Sequence, residues 1–224
     1  MMFKDFISLV QSLNNRYKII LFCENENLYL KIFNDKIKRF KENNINVQII
    51  TFKSNISDQF KIKDTSYINF DNYDFLKVFL KLVKNKIIIS STPTINKKIS
   101  NNTNYFIFVQ HSLLKFSNKF TRDHINNFDK ITVSSQDQET ECNHLLKIDK
   151  ENIIRYKYHN LEYLLKEDNK NLNNNEKPTL LIATSFYGNH LLKLVDEDLI
   201  KQISKFYKII LRPHPEIYKN QEML

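Results

Sequence analysis

Glycine is almost missing from this 224-residue chain: there is one, Gly188, beside four prolines, two cysteines and no tryptophan. Ordinary proteins carry about 7% glycine. A Walker loop and a GxGxxG dinucleotide fingerprint each need several glycines, so both are excluded, as are collagen-like and glycine-rich linker segments. Cys23 and Cys142 lie far apart and form no CxxC pair, which excludes a disulfide framework and a cysteine zinc site and suits a reducing cytoplasm. No stretch approaches the roughly 18 consecutive apolar residues of a membrane span. The opening MMFKDFISLVQSLNNRYK carries an acid early and no small-residue cleavage site, so it does not read as a signal peptide.

Lysine, asparagine, isoleucine and phenylalanine are abundant instead, and the formal net charge is +9. A basic balance invites polyanion partners such as nucleic acid, anionic lipid or phosphate-rich substrates. The abundant residues also share AT-rich codons, and Ala183 is the only alanine, so base composition accounts for much of the lysine excess. Aromatics interleave with lysine, but no recognition motif accompanies them, and no nucleic-acid partner is expected. Phe3, Phe6, Ile7, Val10 and Leu13 fall on one face of an amphipathic amino-terminal helix. Core packing is the expected use of that face. The alternative is a helix lying on the cytoplasmic side of the inner membrane, as in a peripheral protein.

Along the chain, short apolar runs alternate with helical patterns. Strands are predicted at 17–23, 47–52, 66–70, 86–91, 105–110, 131–135 and 152–157, with helices over 27–43, 73–84 and 136–148. Strands alternating with helices imply parallel pairing, and runs that are apolar throughout imply cover on both sheet faces. Residues 1–165 therefore read as one doubly wound, Rossmann-like α/β domain. Residues 166–178, KEDNKNLNNNEKP, are polar and asparagine-rich and end in proline, which marks a linker. Strand TLLIAT, a helix over 189–205 and strand YKIILR then open a second α/β domain at 179–224 that stops after about one βαβ unit.

Ligands of doubly wound sheets sit beyond the carboxyl ends of strands. His111 directly follows YFIFVQ there, and His214 sits in LRPHPE just past YKIILR. An imidazole at His111 can accept a hydroxyl proton at neutral pH; Ser112 beside it lacks the glycines of a nucleophile elbow. Prolines on both sides stiffen the His214 loop, where Arg212 and His214 could bind phosphate, or where the loop is simply a rigid exit from the strand. Gly188 falls in SFYGNH between a strand and a helix, a junction suited to a tight turn and to anion binding by backbone N–H groups, with Thr184 and Ser185 as hydroxyl donors. The remaining histidines, at 124, 144, 159 and 190, lack metal-ligand spacing, and Asp196, Glu197 and Asp198 read as a solvated helical face.

The runs FVQHSLLKF, NNFDKITVSS, RYKYHNLEYL, TLLIATSFYGNH and KIILRPHPE together resemble the CDP-glycerol glycerophosphotransferases, the teichoic-acid and capsule polymer transferases. Order and spacing agree over roughly residues 17–220. The resemblance implies two Rossmann-like domains in a GT-B arrangement, acceptor-side then donor-side. It implies a transferase moving glycerol phosphate or a related phospho-polyol from a CDP-linked donor to an anionic cell-surface polymer. His111, with Ser112, would serve the acceptor side as base. Arg212, His214, Thr184, Ser185, Gly188 and Asn189 would serve the donor phosphates, with no cofactor and no metal. Two departures stand out: KYHNLEYL lacks the Gly and Pro of the family's "GYP" stretch, and the segment that follows R-x-HP in the family has no counterpart here. The carboxyl-terminal region is therefore expected to be incomplete. Two other functions stay open: a catalytically inactive module binding an anionic polymer or partner, and a different HP-motif capsule glycosyltransferase such as a sialyltransferase.

Overall fold

The structure is a computed structural model that describes residues 2–13, 16–24, 27–53, 62, 65–110, 116, 120–156, 177–183 and 196–212. The chain divides into two compact units, Met1–Glu167 and Asp168–Leu224. In the first, seven strands form one sheet: β1 (Ile19–Glu24), β2 (Val47–Phe52), β3 (Ser66–Phe70), β4 (Ile87–Ser90), β5 (Tyr105–Val109), β6 (Lys130–Val133) and β7 (Ile153–Arg155). Their spatial order is β3-β2-β1-β4-β5-β6-β7 and every pairing is parallel. The helices are α1 (Met2–Ser12), α2 (Asn27–Glu42), α3 (Tyr73–Leu82), the single turn α4 (Arg122–Ile125) and α5 (Gln136–His144). The doubly wound sheet expected from the sequence is therefore present, with each strand within a few residues of its expected place. The turn α4 had no periodic signal, because four residues are too few to show one.

Alternation along the strands separates two cores. Ile20, Phe22, Ile50, Ile88, Phe106 and Phe108 point to one face, where Leu9 of α1, Leu76, Phe79 and Leu80 of α3, Ile125 of α4 and Cys142 of α5 cover them. Ile19, Leu21, Cys23, Val47 and Ile49 point to the other, under Phe33 and Ile37 of α2. Both faces are covered, which is why these strands read as unbroken apolar runs. Phenylalanine takes the place that smaller aliphatics fill in richer compositions. Phe108 meets Phe116, Phe120 and Phe128 edge-on at centroid distances of 6.1, 5.1 and 5.3 Å, a geometry favoured by the ring quadrupole.

The shortage of glycine reappears at the backbone. Asn44, Lys53, Asn85 and Lys147 take φ values of 58°, 52°, 57° and 55°, the left-handed region that glycine normally occupies at little steric cost. Asn44 shows how this is tolerated. Ile45 N–H bonds Phe40 C=O at 2.8 Å and Asn44 N–H bonds Lys41 C=O at 2.9 Å, the paired bonds of a Schellman motif that closes α2. Phe40 and Ile45 both pack on the second core, supplying its usual hydrophobic contact.

The orientation of α1 differs from the expected core packing. Asp5, Ser8 and Leu9 are buried, while Phe6, Ile7, Val10 and Leu13 are exposed, Phe6 at 54% and Val10 at 58%. At 100° per residue these groups lie on opposite sides of the helix. Polar anchoring explains the inversion. Asp5 Oδ1 accepts from Asp71 N–H at 2.7 Å and from Asn72 N–H at 3.4 Å, groups at the carboxyl end of β3 that need an acceptor. Lys4 adds an ion pair to Asp71 at 3.3 Å.

In the second unit β8 (Thr179–Ala183) and β9 (Lys208–Arg212) pair in parallel, and α6 (Glu197–Ser204) precedes β9. Asp196 caps α6 by accepting from Leu199 N–H at 2.7 Å, and Glu197 pairs with Lys201 at 2.9 Å. These acids thus serve the helix, as a solvated face would. Among the described residues, no helix is long and apolar enough to cross a membrane.

Candidate functional site

In a sheet of this topology the chain winds outward in both directions from β1 and β4, so the connections after these two strands leave on opposite sides. The crevice between them, at the carboxyl ends, is the switch point where such sheets bind ligands. β1 ends there on Glu24 and β4 on Ser90, followed by Ser91, Thr92, Pro93 and Thr94.

This loop is held in place by its own hydroxyls and by α3. Ser90 Oγ donates to Thr92 C=O at 2.6 Å and accepts from Thr92 N–H at 3.2 Å, a local side-chain turn. Tyr73 OH donates to Thr94 C=O at 3.2 Å, and Asn96 Nδ2 donates to Pro93 C=O at 3.3 Å. Tyr73 is itself fixed edge-on against Phe52, 5.8 Å between centroids. Among the described residues one side-chain pair joins the two strand ends: Thr94 Oγ1 donates to Glu24 Oε2. Glu24 is half-buried, and its Oε1 has no hydrogen-bond partner among the described residues. Thr92 Oγ1 is inaccessible and likewise has none. Glu24 and SSTPT match no motif; their one signal in the sequence is their place directly after the apolar runs IILFC and KIII, at strand ends where ligands of such sheets sit.

Other groups along this edge are committed to structure. Ser134 N–H and Oγ both bond Gln138 Oε1 at 2.9 Å, and Ser135 Oγ caps α5 by accepting from Gln138 N–H at 3.2 Å. Burial pushes the Cys23 thiol, next to Glu24, up to about 12. Burial and then the Glu141 carboxylate push Cys142 up to about 12 as well. Thiols that stay protonated are poor nucleophiles and ligands. Among the described residues, no three histidine, cysteine or acidic side chains cluster as metal ligands would. A cavity of about 540 Å³ lies at the opposite edge of the sheet, lined by Arg16, Tyr17, Lys41, Val47, Thr65 and Ser66. It opens at the amino ends of β1–β3, away from the switch point.

Of the residues singled out from the sequence, Arg212 is described: it ends β9, exposed, directly opposite Ala183, the last residue of β8. The carboxyl ends of β8 and β9 therefore lie side by side. His111, Ser112, Thr184, Ser185, Gly188, Asn189 and His214 lie outside the described residues. Gln110, which precedes His111, is buried just past the end of β5.

No protein-family model matches the chain, and no curated protein matches it. Among solved structures it is similar to the wall teichoic acid polymerase TagF. A TagF structure soaked with CDPG aligns at 13% identity and a TM-score of 0.58, covering 96% of this chain and 60% of that one. Another TagF structure aligns at 14% identity and 0.58, covering 96% and 61%. A variant of the same polymerase gives 14% and 0.57, covering 99% and 62%. The chain thus spans about three fifths of the length of these structures. At such identity the likeness speaks to fold, and the fold it shows is the α/β, GT-B-type architecture of a teichoic acid polymerase, with Rossmann-like parallel pairing.

Proposed function

We propose that this chain belongs to a transferase of cell-surface polymer synthesis, moving glycerol phosphate or a related phospho-polyol from a CDP-linked donor to a teichoic-acid or capsule-type acceptor. The observation that carries this reading is the match of nearly the whole chain, 96%, to a teichoic acid polymerase fold, in a sequence that ends β9 on Arg212 and carries His111 in FVQHS and His214 in RPHPE. In the reaction an acceptor hydroxyl attacks the donor phosphorus that bears the polyol. The P–O bond to the nucleotide breaks, a phosphodiester to the acceptor forms, and CMP leaves. His111 takes the acceptor proton. Arg212 and His214 stabilise charge on the phosphates through charge-assisted hydrogen bonds, aided by the hydroxyls of Thr184 and Ser185 and the backbone near Gly188 and Asn189.

A membrane surface is part of the reading. α1 turns Phe6, Ile7, Val10 and Leu13 outward, and α3, against which it packs, adds exposed Val78 and Leu82. Lys4, Lys81 and Lys84 on and beside these helices are exposed. An apolar face flanked by cations suits an anionic bilayer, each lysine contributing about 1 kcal/mol near such a surface. The protein should sediment with vesicles rich in phosphatidylglycerol, and Phe6→Glu with Val10→Glu should abolish this; unchanged sedimentation removes the membrane from the proposal.

The test of the reaction is CMP release from CDP-glycerol, with CDP-ribitol and CMP-sialic acid as competing donors. Release is expected from CDP-glycerol, with His111→Ala reducing turnover 10²-fold or more, a loss typical of a general base, and His214→Ala weakening nucleotide binding. Preference for CMP-sialic acid would point to a sialyltransferase. Polymer binding without CDP binding or release would point to an inactive binding module.

A further inference from the structure

We infer that Glu24 and the Ser90–Thr94 loop form a subsite for the uncharged, hydroxyl-bearing end of a polyol chain. The inference rests on the proposed phospho-polyol transfer and adds to it where a neutral polyol group is recognised. Position comes first. Glu24 and the loop meet at the β1/β4 switch point: the register pairs Phe22 with Ser90, so β1 runs two residues past the end of β4 and brings Glu24 beside the loop that follows Ser90. Alternation along β1 places Glu24 on the same sheet face as Ile20 and Phe22, the face from which Tyr73 and Asn96 hold the loop.

Hydrogen-bonding capacity then selects the ligand. An ionised carboxylate accepts at two oxygens. Thr94 occupies Oε2, and that bond aims the group and leaves Oε1 open among the described residues. The hydroxyls of Ser90 and Thr94 are already engaged, so the side chains that frame Glu24 cannot saturate it. What completes such a site is a ligand bearing O–H donors. Thr92 Oγ1, inaccessible and without a partner among the described residues, lies in the same loop. A phosphate is the wrong chemistry here: it brings only acceptors and negative charge, and no lysine or arginine pairs with Glu24 among the described residues. A glycerol or ribitol terminus presents neighbouring hydroxyls that donate to the carboxylate.

Rigidity favours binding over mere structure. Pro93 fixes its own φ, and the carbonyls of Pro93 and Thr94 are tied to Asn96 and Tyr73, so little ordering remains to be done when a ligand arrives.

The experiment is saturation-transfer NMR on the full chain with glycerol and ribitol as probes and inorganic phosphate as competitor. Thermal melting of each variant accompanies it. Wild type should transfer saturation to both polyols, and phosphate should not displace them. Glu24→Ala should reduce the signal at least 5-fold. Thr94→Val, which keeps the shape but releases the carboxylate, should reduce it less, at an unchanged melting temperature. Full signal in Glu24→Ala or Thr94→Val, or displacement by phosphate, overturns the subsite. The CMP-release assay separates the two claims. Lost polyol binding in Glu24→Ala with no turnover by wild type keeps the subsite and removes the transferase. Turnover with an acceptor KM unchanged by Glu24→Ala does the reverse.

Discussion

Replacing Asp5 by alanine should destabilise the first unit by about 2–3 kcal/mol, the range for a lost hydrogen bond to an ionised acceptor. Asp5 is 1% exposed, so water cannot substitute for it. Its 2.7 Å bond from Asp71 N–H carries most of the effect, since the 3.4 Å contact with Asn72 N–H is long and adds little. Asparagine keeps a carbonyl oxygen for Asp71 N–H but loses the charge, so Asp5→Asn should cost about half as much. The chain has no tryptophan and eleven tyrosines, so urea unfolding is best followed by far-UV circular dichroism together with tyrosine fluorescence. With an m-value of about 2 kcal/mol/M the alanine midpoint should fall by about 1–1.5 M. Amide exchange at Asp71 and Asn72 should accelerate in the same variant, because their acceptor is gone. A loss below about 0.5 kcal/mol, the usual effect of a surface change, would refute the anchoring argument. So would asparagine proving as damaging as alanine.

Two more outcomes follow from the backbone and the thiols. Asn44 sits at φ 58°, so Asn44→Gly should hold or raise stability, whereas Asn44→Ala should lower it by about 1 kcal/mol; thermal melts of the pair decide it. Burial raises Cys23 and Cys142 from an ordinary 9.0 to about 12. Their stabilising contribution is therefore complete below pH 9 and lost as pH rises toward 12, because the unfolded chain releases protons that the folded one retains. At pH 10 the loss is about 1.4 kcal/mol per thiol. Lys86, lowered by burial, works the other way and is common to all variants. The stability gap between wild type and Cys23→Ala/Cys142→Ala should hence narrow from pH 8 to pH 10.5, and a constant gap would contradict it.

The strands were legible because burial on both faces leaves an unmistakable local trace, as in YKIILFC and VQIITF. The helices α2 and α3 were legible from their apolar periodicity; α5, QDQETECNH, buries only Gln138 and Cys142 and carries little of it. Arg212 was legible as a strand-end residue from the apolar run YKIIL before it, although β9 itself is largely exposed. The Glu24–Thr94 contact was not, since it joins residues 70 positions apart and depends on β1 and β4 becoming neighbours, which no local pattern encodes. α1 marks the boundary most clearly. The spacing of Phe6, Ile7, Val10 and Leu13 determined that the helix has an apolar side and a polar side. It did not determine which side faces inward, because amphipathicity fixes an axis without a sign. That sign was decided by Asp71 and Asn72, whose backbone N–H groups at the end of β3 needed an acceptor and found it in Asp5, 66 and 67 residues away.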